Sequence, residues 1–469
     1  MPRFSIVVPI YNVEAYIQEC LDSLLGQSFG DFEVICVDDA SPDDSASIVQ
    51  SYCLSDSRIR LVRNDRNMHL FASRHVGVRE TTGEYVLFVD GDDKLTYDAL
   101  ETIDKQLLDN PVDILQFPMK AVVDPQSDAE MRDDGWYCHR SEPRILRGDE
   151  IVGKICYEQA EDMCAHHRAY RGDMAREVLE DLGYESDLYS AEDIVELTAL
   201  MLAADTYQVI DSKPLYIYYV GRGLSEFGSA TTLDAFLDNA YAKHRCYENL
   251  MRYLERKGIN DVSSCVPIAW RWRYSCAQTL LKWQHSLSLD DRIDALEKLV
   301  ELWPCAWIVP SICTFVADEA KAFIEGTCLN DGGISKRSFV SNMQCLALAF
   351  LHYNENQAYL DITFNAWNDM YLDLHSSGFF INDEIVDDGQ SQYLLRCLYS
   401  ICLFLRSELW TMDDRTIREK YELRQLKEVL NEKAEKAAWA ENSFGSKLYK
   451  MSKKTAAFSS AIRDRGNNS

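Results

Sequence analysis

The chain has no long apolar run. Its most apolar stretches are Trp303 to Val316, interrupted by prolines, and Cys397 to Leu405, flanked by Arg396 and Arg406. A bilayer span needs about 20 apolar residues, so no membrane-spanning helix is expected. No secretory leader is read either, because Met1-Pro2-Arg3 leads straight into a short apolar run ending at Pro9. No C-x-x-C occurs among the 15 cysteines, and the closest pair is Cys397 and Cys402. That excludes a zinc ribbon or thioredoxin-type motif. Scattered thiols without a leader fit a reducing cytoplasm. Basic charge is scarce: 48 Lys and Arg stand against 76 Asp and Glu, for a formal net charge of −28. Neutralising a polyanion takes clustered cations, so general nucleic-acid binding is disfavoured. A glycine-rich phosphate loop is missing as well. The first strand feeds Pro9-Ile10-Tyr11-Asn12, which argues against a G-x-G-x-x-G dehydrogenase and a P-loop kinase.

What is present is an ordinary globular composition, 47% hydrophobic and 26% charged, over 469 residues. That length predicts about two or three domains. The first 120 residues alternate strand and helix signals. Short apolar runs at Phe4 to Val8, Phe32 to Val37, Ile59 to Val62 and Tyr85 to Val89 read as strands, and Val13 to Leu25 and Ala72 to Thr81 carry helical spacing. This pattern predicts an α/β fold with a mostly parallel sheet sandwiched by helices. From about residue 231 the periodicity is almost all helical, which predicts a mainly α-helical C-terminal region.

In such sheets ligands sit beyond the carboxyl ends of the strands. Polar residues collect at that end: Tyr11-Asn12 after the first strand, Asp38-Asp39 after the second and Asp90-Gly91-Asp92-Asp93 after the fourth. Carboxylates on such a turn suit a hard divalent cation, since Mg²⁺ and Mn²⁺ take oxygen ligands and leave positions for diphosphate oxygens. A plain acidic turn would carry the same letters. Asp38-Asp39 suits ribose hydroxyls or a base N–H, or else an N-cap for the helix after Ser41. Farther on, Glu192-Asp193 opens a helix, where acids are also favoured by the helix dipole.

Taken together, Ser5 to Val13, Cys20 to Ser28, Val37 to Asp43 and Gly83 to Asp93 occur in an order and spacing that resemble the opening of a family 2 glycosyltransferase. The resemblance is strong over about the first 110 residues. It implies a GT-A-like fold, with residues 1–120 as the nucleotide-sugar-binding half, 121–230 as the acceptor-side half and 231–469 as the helical C-terminal region. It also implies a nucleoside diphosphate sugar donor, with a UDP-sugar favoured, and Mn²⁺ or Mg²⁺ as cofactor. Pro9, Tyr11 and Asn12 would line the base and ribose, and Asp38 or Asp39 would contact the uracil or ribose. Asp90 and Asp92 match the D-x-D motif, with Asp92 the favoured metal contact. Arg74 matches the arginine of the A-R-N-x-G segment and would face the diphosphate. Asp193 would take the proton from the acceptor hydroxyl, and Glu192 would position it or bind the acceptor. Inversion at the anomeric carbon is implied too. The expected activity is transfer to a glycan or lipid-linked acceptor in surface polysaccharide or cell-envelope glycan synthesis. The alternative is a catalytically degenerate sugar-nucleotide-binding scaffold.

The match departs from the family at named places. Ala72-Ser73-Arg74-His75-Val76-Gly77 has an extra residue between Ala and Arg, and His75 where Asn is usual. Asn67-Met68-His69 replaces the usual Asn-x-Gly, and His166-His167-Arg168 stands where W-x-K is usual. The His pair lacks H-E-x-x-H spacing and is no metal signature. Arg168 reads as a surface arginine, or else as a substrate contact. The helical half carries no recognised motif. Its tryptophans and leucines read as core. Asp413 to Glu441 reads as a solvated helix, or as a short coiled-coil contact joining an oligomer. The basic tail, Lys447, Lys450, Lys453, Lys454, Arg463 and Arg465, suits either a disordered solubilising role or peripheral contact with the inner face of the membrane.

Overall fold

The computed structural model describes residues 1–127, 142–158, 163–183, 188–222, 231–325 and 336–351, with parts of 395–406. The helix read at Asp413 to Glu441 and the basic tail from Lys447 lie outside the described residues.

The chain opens with β1 (Phe4–Ile10), α1 (Ile17–Leu25), β2 (Phe32–Asp38), α2 (Ser45–Ser55), β3 (Ile59–Arg63), α3 (His69–Arg79) and β4 (Tyr85–Phe88). It continues through β5 (Lys94–Leu95), α4 (Ala99–Asp109), β6 (Ile114–Gln116), β7 (Met119–Val123), β8 (Arg144–Arg147) and α5 (Glu150–Glu158). Next come β9 (Arg168–Arg171), α6 (Gly172–Leu182), α7 (Glu192–Ala203), β10 (Thr206–Val209) and β11 (Tyr216–Val220). The helical region holds α8 (Leu233–Lys257), α9 (Val262–Ser286), α10 (Leu289–Leu302), α11 (Cys305–Glu325) and α12 (Lys336–Leu351).

The main sheet runs β3-β2-β1-β4-β9-β6-β10-β8. Its first four strands are mutually parallel, as the alternating pattern predicts. Every residue of β1 is buried, because helices cover both faces, and a strand that is apolar but for Ser5 suits that position. The sheet is not purely parallel. Strand β9 lies between β4 and β6 and runs antiparallel to both, and β8 runs antiparallel to β10. Strand order therefore crosses residue 120, and one sheet serves the segments on either side of it. A small second sheet, β5-β11-β7, stands beside the loop after β4.

Apolar residues separate onto two faces. One core holds Ile6, Val8, Ile17, Leu21, Leu24 and Leu100 under α1 and α4. The other begins at Val7 and Val86, passes through α5, α6 and α7, and extends without a break into Trp272, Trp283, Trp307 and Leu346. Trp272, Trp283, Trp303 and Trp307 are thus core, Trp270 is half-buried, and Trp367, Trp410 and Trp439 lie outside the described residues; the helical region packs against the sheet's own helices. Three of its helices, α8, α9 and α10, start on side-chain caps: Thr232, Asp261 and Ser288 accept from Ala235 N, Ser264 N and Asp291 N. Among the described residues no helix is long and apolar enough to cross a membrane. The described cysteines are free thiols.

Arg168 corrects an expectation. It is fully buried, not at the surface. Its Nε donates to Tyr207 Oη at 2.8 Å, and its Nη1 to the carbonyls of Cys164 and His166. A long cation is tolerated inside because fixed oxygens replace its water.

Candidate active site

The carboxyl ends of β1, β2 and β4 open on one side of the sheet, and the start of α7 faces them. Non-glycine residues with left-handed backbone gather along this rim: Asn12 (φ 57°), Ala40 (φ 56°), His69 (φ 65°), His167 (φ 50°) and Ala191 (φ 67°). Such conformations cost free energy and tend to cluster at functional sites.

At the end of β1, Pro9 is buried within the strand, Tyr11 is half-buried and Asn12 is exposed. Neither Asp38 nor Asp39 caps α2. That helix begins after Asp44 without a side-chain cap. Asp38 accepts from Ser41 N at 3.1 Å, closing the turn after β2. One oxygen of Asp39 accepts from Asn64 Nδ2 at 2.7 Å and Met68 N at 2.8 Å. It thereby ties the loop that enters α3 to the end of β2.

The loop after β4 carries three acids with different surroundings. Asp93 is buried and structural: Tyr216 Oη donates to it at 2.7 Å and Tyr219 N at 2.8 Å. Tyr216 Oη also accepts from Asp90 N at 3.2 Å. The small sheet therefore sets the loop's shape. Asp90 and Asp92 are half-buried and reach the cleft. Burial, together with the charge of Asp90, pushes the Asp92 carboxyl up to about 6. Arg222 closes the outer edge. It pairs with Asp124 at 2.7 Å and Glu19 at 2.8 Å, lies 3.5 Å over the Tyr219 ring and donates to the Asp92 carbonyl at 3.3 Å.

Across the cleft, Glu192 and Asp193 occupy the first turn of α7. Burial and the neighbouring Asp193 charge push Glu192 up to about 8, so it holds a proton at neutral pH. Arg74, on α3, joins the two sides. It is 1% exposed, and its guanidinium pairs with Asp193, with Glu196 at 3.0 Å and with Asp90 at 3.4 Å. Burial opposes its charge, yet Asp193, Glu196 and Asp90 outweigh that and hold its pKa well above the usual value. Arg74 therefore faces carboxylates, whereas the resemblance implies a diphosphate.

Glu196 was missed at the level of sequence, and His166 was read there only as part of a pair that is no metal signature. Glu196 is fully buried beneath Arg74, with His75 Nε2 at 3.5 Å from its other oxygen. Its signal was an acid inside the apolar run Ile194, Val195, Leu197. His166 is 5% exposed, and its Nδ1 lies 3.9 Å from Asp90 Oδ2. Burial, with a contribution from His167, lowers it to about 4. Its signal was the departure from W-x-K.

Among the described residues no three His, Cys, Asp or Glu side chains form a ready-made metal site. The donor set still fits a divalent ion. Burial, with the charge of the neighbouring Asp90, raises the pKa of Asp92. Mg²⁺-type sites often use one or two carboxylates plus substrate phosphates.

This arrangement, acids at the β4 end facing acids at a helix start across a strand-end cleft, belongs to the class of glycosyltransferase domains. Residues 5–179 match the family model Glycosyl transferase family 2. It is 29% identical over 259 residues to the glycosyltransferase EpsJ of Bacillus subtilis (strain 168), covering 53% of this chain and 70% of EpsJ. It is 41% identical over 101 residues to the poly(ribitol-phosphate) beta-glucosyltransferase of Bacillus spizizenii, covering 21% of this chain and 16% of that protein. Among solved structures, S. aureus TarS 1-349 aligns with a TM-score of 0.49 at 19% identity, over 75% of this chain and 90% of that one.

Proposed function

We propose that the protein moves a sugar from a nucleoside diphosphate sugar, with a UDP-sugar favoured, to a hydroxyl of a glycan or lipid-linked acceptor in cell-envelope glycan synthesis. One observation carries the reading: Asp90 and Asp92 stand on one wall of a cleft and Glu192 and Asp193 on the other, with Arg74 between them. The poly(ribitol-phosphate) beta-glucosyltransferase supports an envelope glycan as acceptor.

Tyr11, Asn12 and the Asp38-Asp39 turn receive the nucleoside. Asp90 and Asp92 would hold Mn²⁺ or Mg²⁺, which supplies positive charge for the diphosphate. Asp193 accepts the acceptor's hydroxyl proton as the new glycosidic bond forms. The bond from the anomeric carbon to the phosphate oxygen breaks, its electron pair leaves with the diphosphate, and the centre inverts. Arg74 pairs with Asp193 and holds it in place at the cleft. Protonated Glu192 offers a hydrogen bond to the acceptor without adding negative charge. The complete set of acids favours an enzyme over a binding-only scaffold.

The test is a nucleotide-sugar screen with Mn²⁺, followed by turnover with a glycan acceptor panel. Asp92→Asn should lose metal-dependent donor binding. Asp193→Asn should keep donor binding and lose transfer by roughly 10²–10⁴-fold, the usual worth of a general base. Unchanged turnover in Asp193→Asn would remove it as the base.

A further inference from the structure

His166 is buried to 5% exposure beside the acid loop, and neither ring nitrogen has a hydrogen-bond partner among the described residues. A neutral imidazole carries one N–H and one lone pair, and leaving both unmet inside a protein is costly. Buried polar groups are paired in the great majority of cases, so an orphan calls for an explanation. The ring is held firmly in place. It stacks on Tyr216, with centroids 4.8 Å apart at 25°, and lies parallel to Tyr218 at 5.9 Å and 8°. The left-handed turn at His167 (φ 50°) follows it directly. The same Tyr216 hydroxyl fixes Asp93 and accepts from Asp90 N. His166 and the acid loop thus share one support.

The separation is informative. His166 Nδ1 lies 3.9 Å from Asp90 Oδ2, too far for a hydrogen bond. Two ligands each about 2.1 Å from a common ion lie roughly 3.0–4.2 Å apart, depending on the angle between them. We propose that His166 is a nitrogen ligand to the divalent cation held by Asp90 and Asp92, and that it biases the site toward a first-row transition ion over Mg²⁺. Mg²⁺ keeps to oxygen donors, whereas imidazole suits transition ions. The inference rests on the proposed cation at Asp90 and Asp92.

The experiment is Mn²⁺ titration of the full-length protein with UDP present, read by electron paramagnetic resonance. Electron spin-echo modulation then tests for nitrogen hyperfine coupling. Wild type should show imidazole nitrogen modulation, a readout that needs no variant. His166→Phe keeps an aromatic ring against Tyr216 and removes both nitrogens. It should lose the modulation, weaken Mn²⁺ binding about tenfold or more, and leave Mg²⁺ affinity, read by competition, little changed. Mn²⁺ binding that depends on Asp92 but shows no nitrogen coupling in wild type would overturn the role of His166 alone. Mn²⁺ binding that is absent, or indifferent to Asp90→Asn and Asp92→Asn, would overturn the metal reading and this inference with it.

Discussion

Deleting the Arg74 charge tests whether the two walls of the cleft are held together as described. Arg74→Met keeps most of the aliphatic length and removes the guanidinium. The cost falls unevenly on its partners. Asp193 and Asp90 are 26% and 22% exposed and can turn to water, whereas Glu196 is 0% exposed and cannot. Breaking a buried pair from one side costs about 3–5 kcal/mol, because the remaining charge stays uncompensated. At roughly 1 °C per kcal/mol for a fold of this length, Tm falls by about 3–5 °C. Arg74→Met/Glu196→Gln should recover most of the loss, since the amide still reaches His75 and carries no charge. Thermal unfolding of wild type, the single and the double variant decides the matter. A single variant within about 2 °C of wild type at neutral pH, or a double variant no better than the single, would refute the reasoning.

Two further outcomes follow from the same geometry. Glu192 has a folded pKa raised to about 8 from an ordinary 4.5, so it favours the native state most at low pH, and that contribution is lost as pH rises from 4.5 to 8. Glu192→Gln should flatten this part of the stability-versus-pH curve, measured by urea unfolding; an identical slope in the variant counts against a raised Glu192. Gly172 opens α6 where its N–H donates to the Glu84 carbonyl at 2.7 Å. A Cβ there would overlap the Gly83 carbonyl oxygen and come within 3.0 Å of the Glu84 carbonyl oxygen. Both are backbone atoms that cannot turn aside, so Gly172→Ala should cost about 1–3 kcal/mol, and an unshifted urea midpoint would show that the junction between β4 and α6 yields.

Much of the first half was legible without coordinates. The strand runs of the first 120 residues and the helix from Glu192 appear where period and composition put them. The strand-end rule correctly gathered Tyr11, Asp38, Asp39 and Asp90 on one rim, because it depends only on strand direction. Less legible were contacts made across the chain. Asp93 looks like a third metal acid, yet Tyr216 and Tyr219, more than a hundred residues away, turn it into a structural one. Arg168 looks exposed because arginines usually are, yet Tyr207 and two carbonyls solvate it inside. Antiparallel β9 was missed because a short strand carries no mark of the direction in which it will pair.

By itself, then, the amino-acid order determined local matters: which runs become strands, where helices begin, and which polar residues stand at strand ends. These depend on side-chain period and backbone preference within a few residues. Tertiary structure alone decided which charges meet. Arg74 on α3 reaches Asp193 and Glu196 on α7, and His166 is brought beside Asp90. The physical reason is distance. An ion pair or a shared ligand depends on a few ångströms of separation and on burial that strips water away, and only the packed sheet and helices supply both.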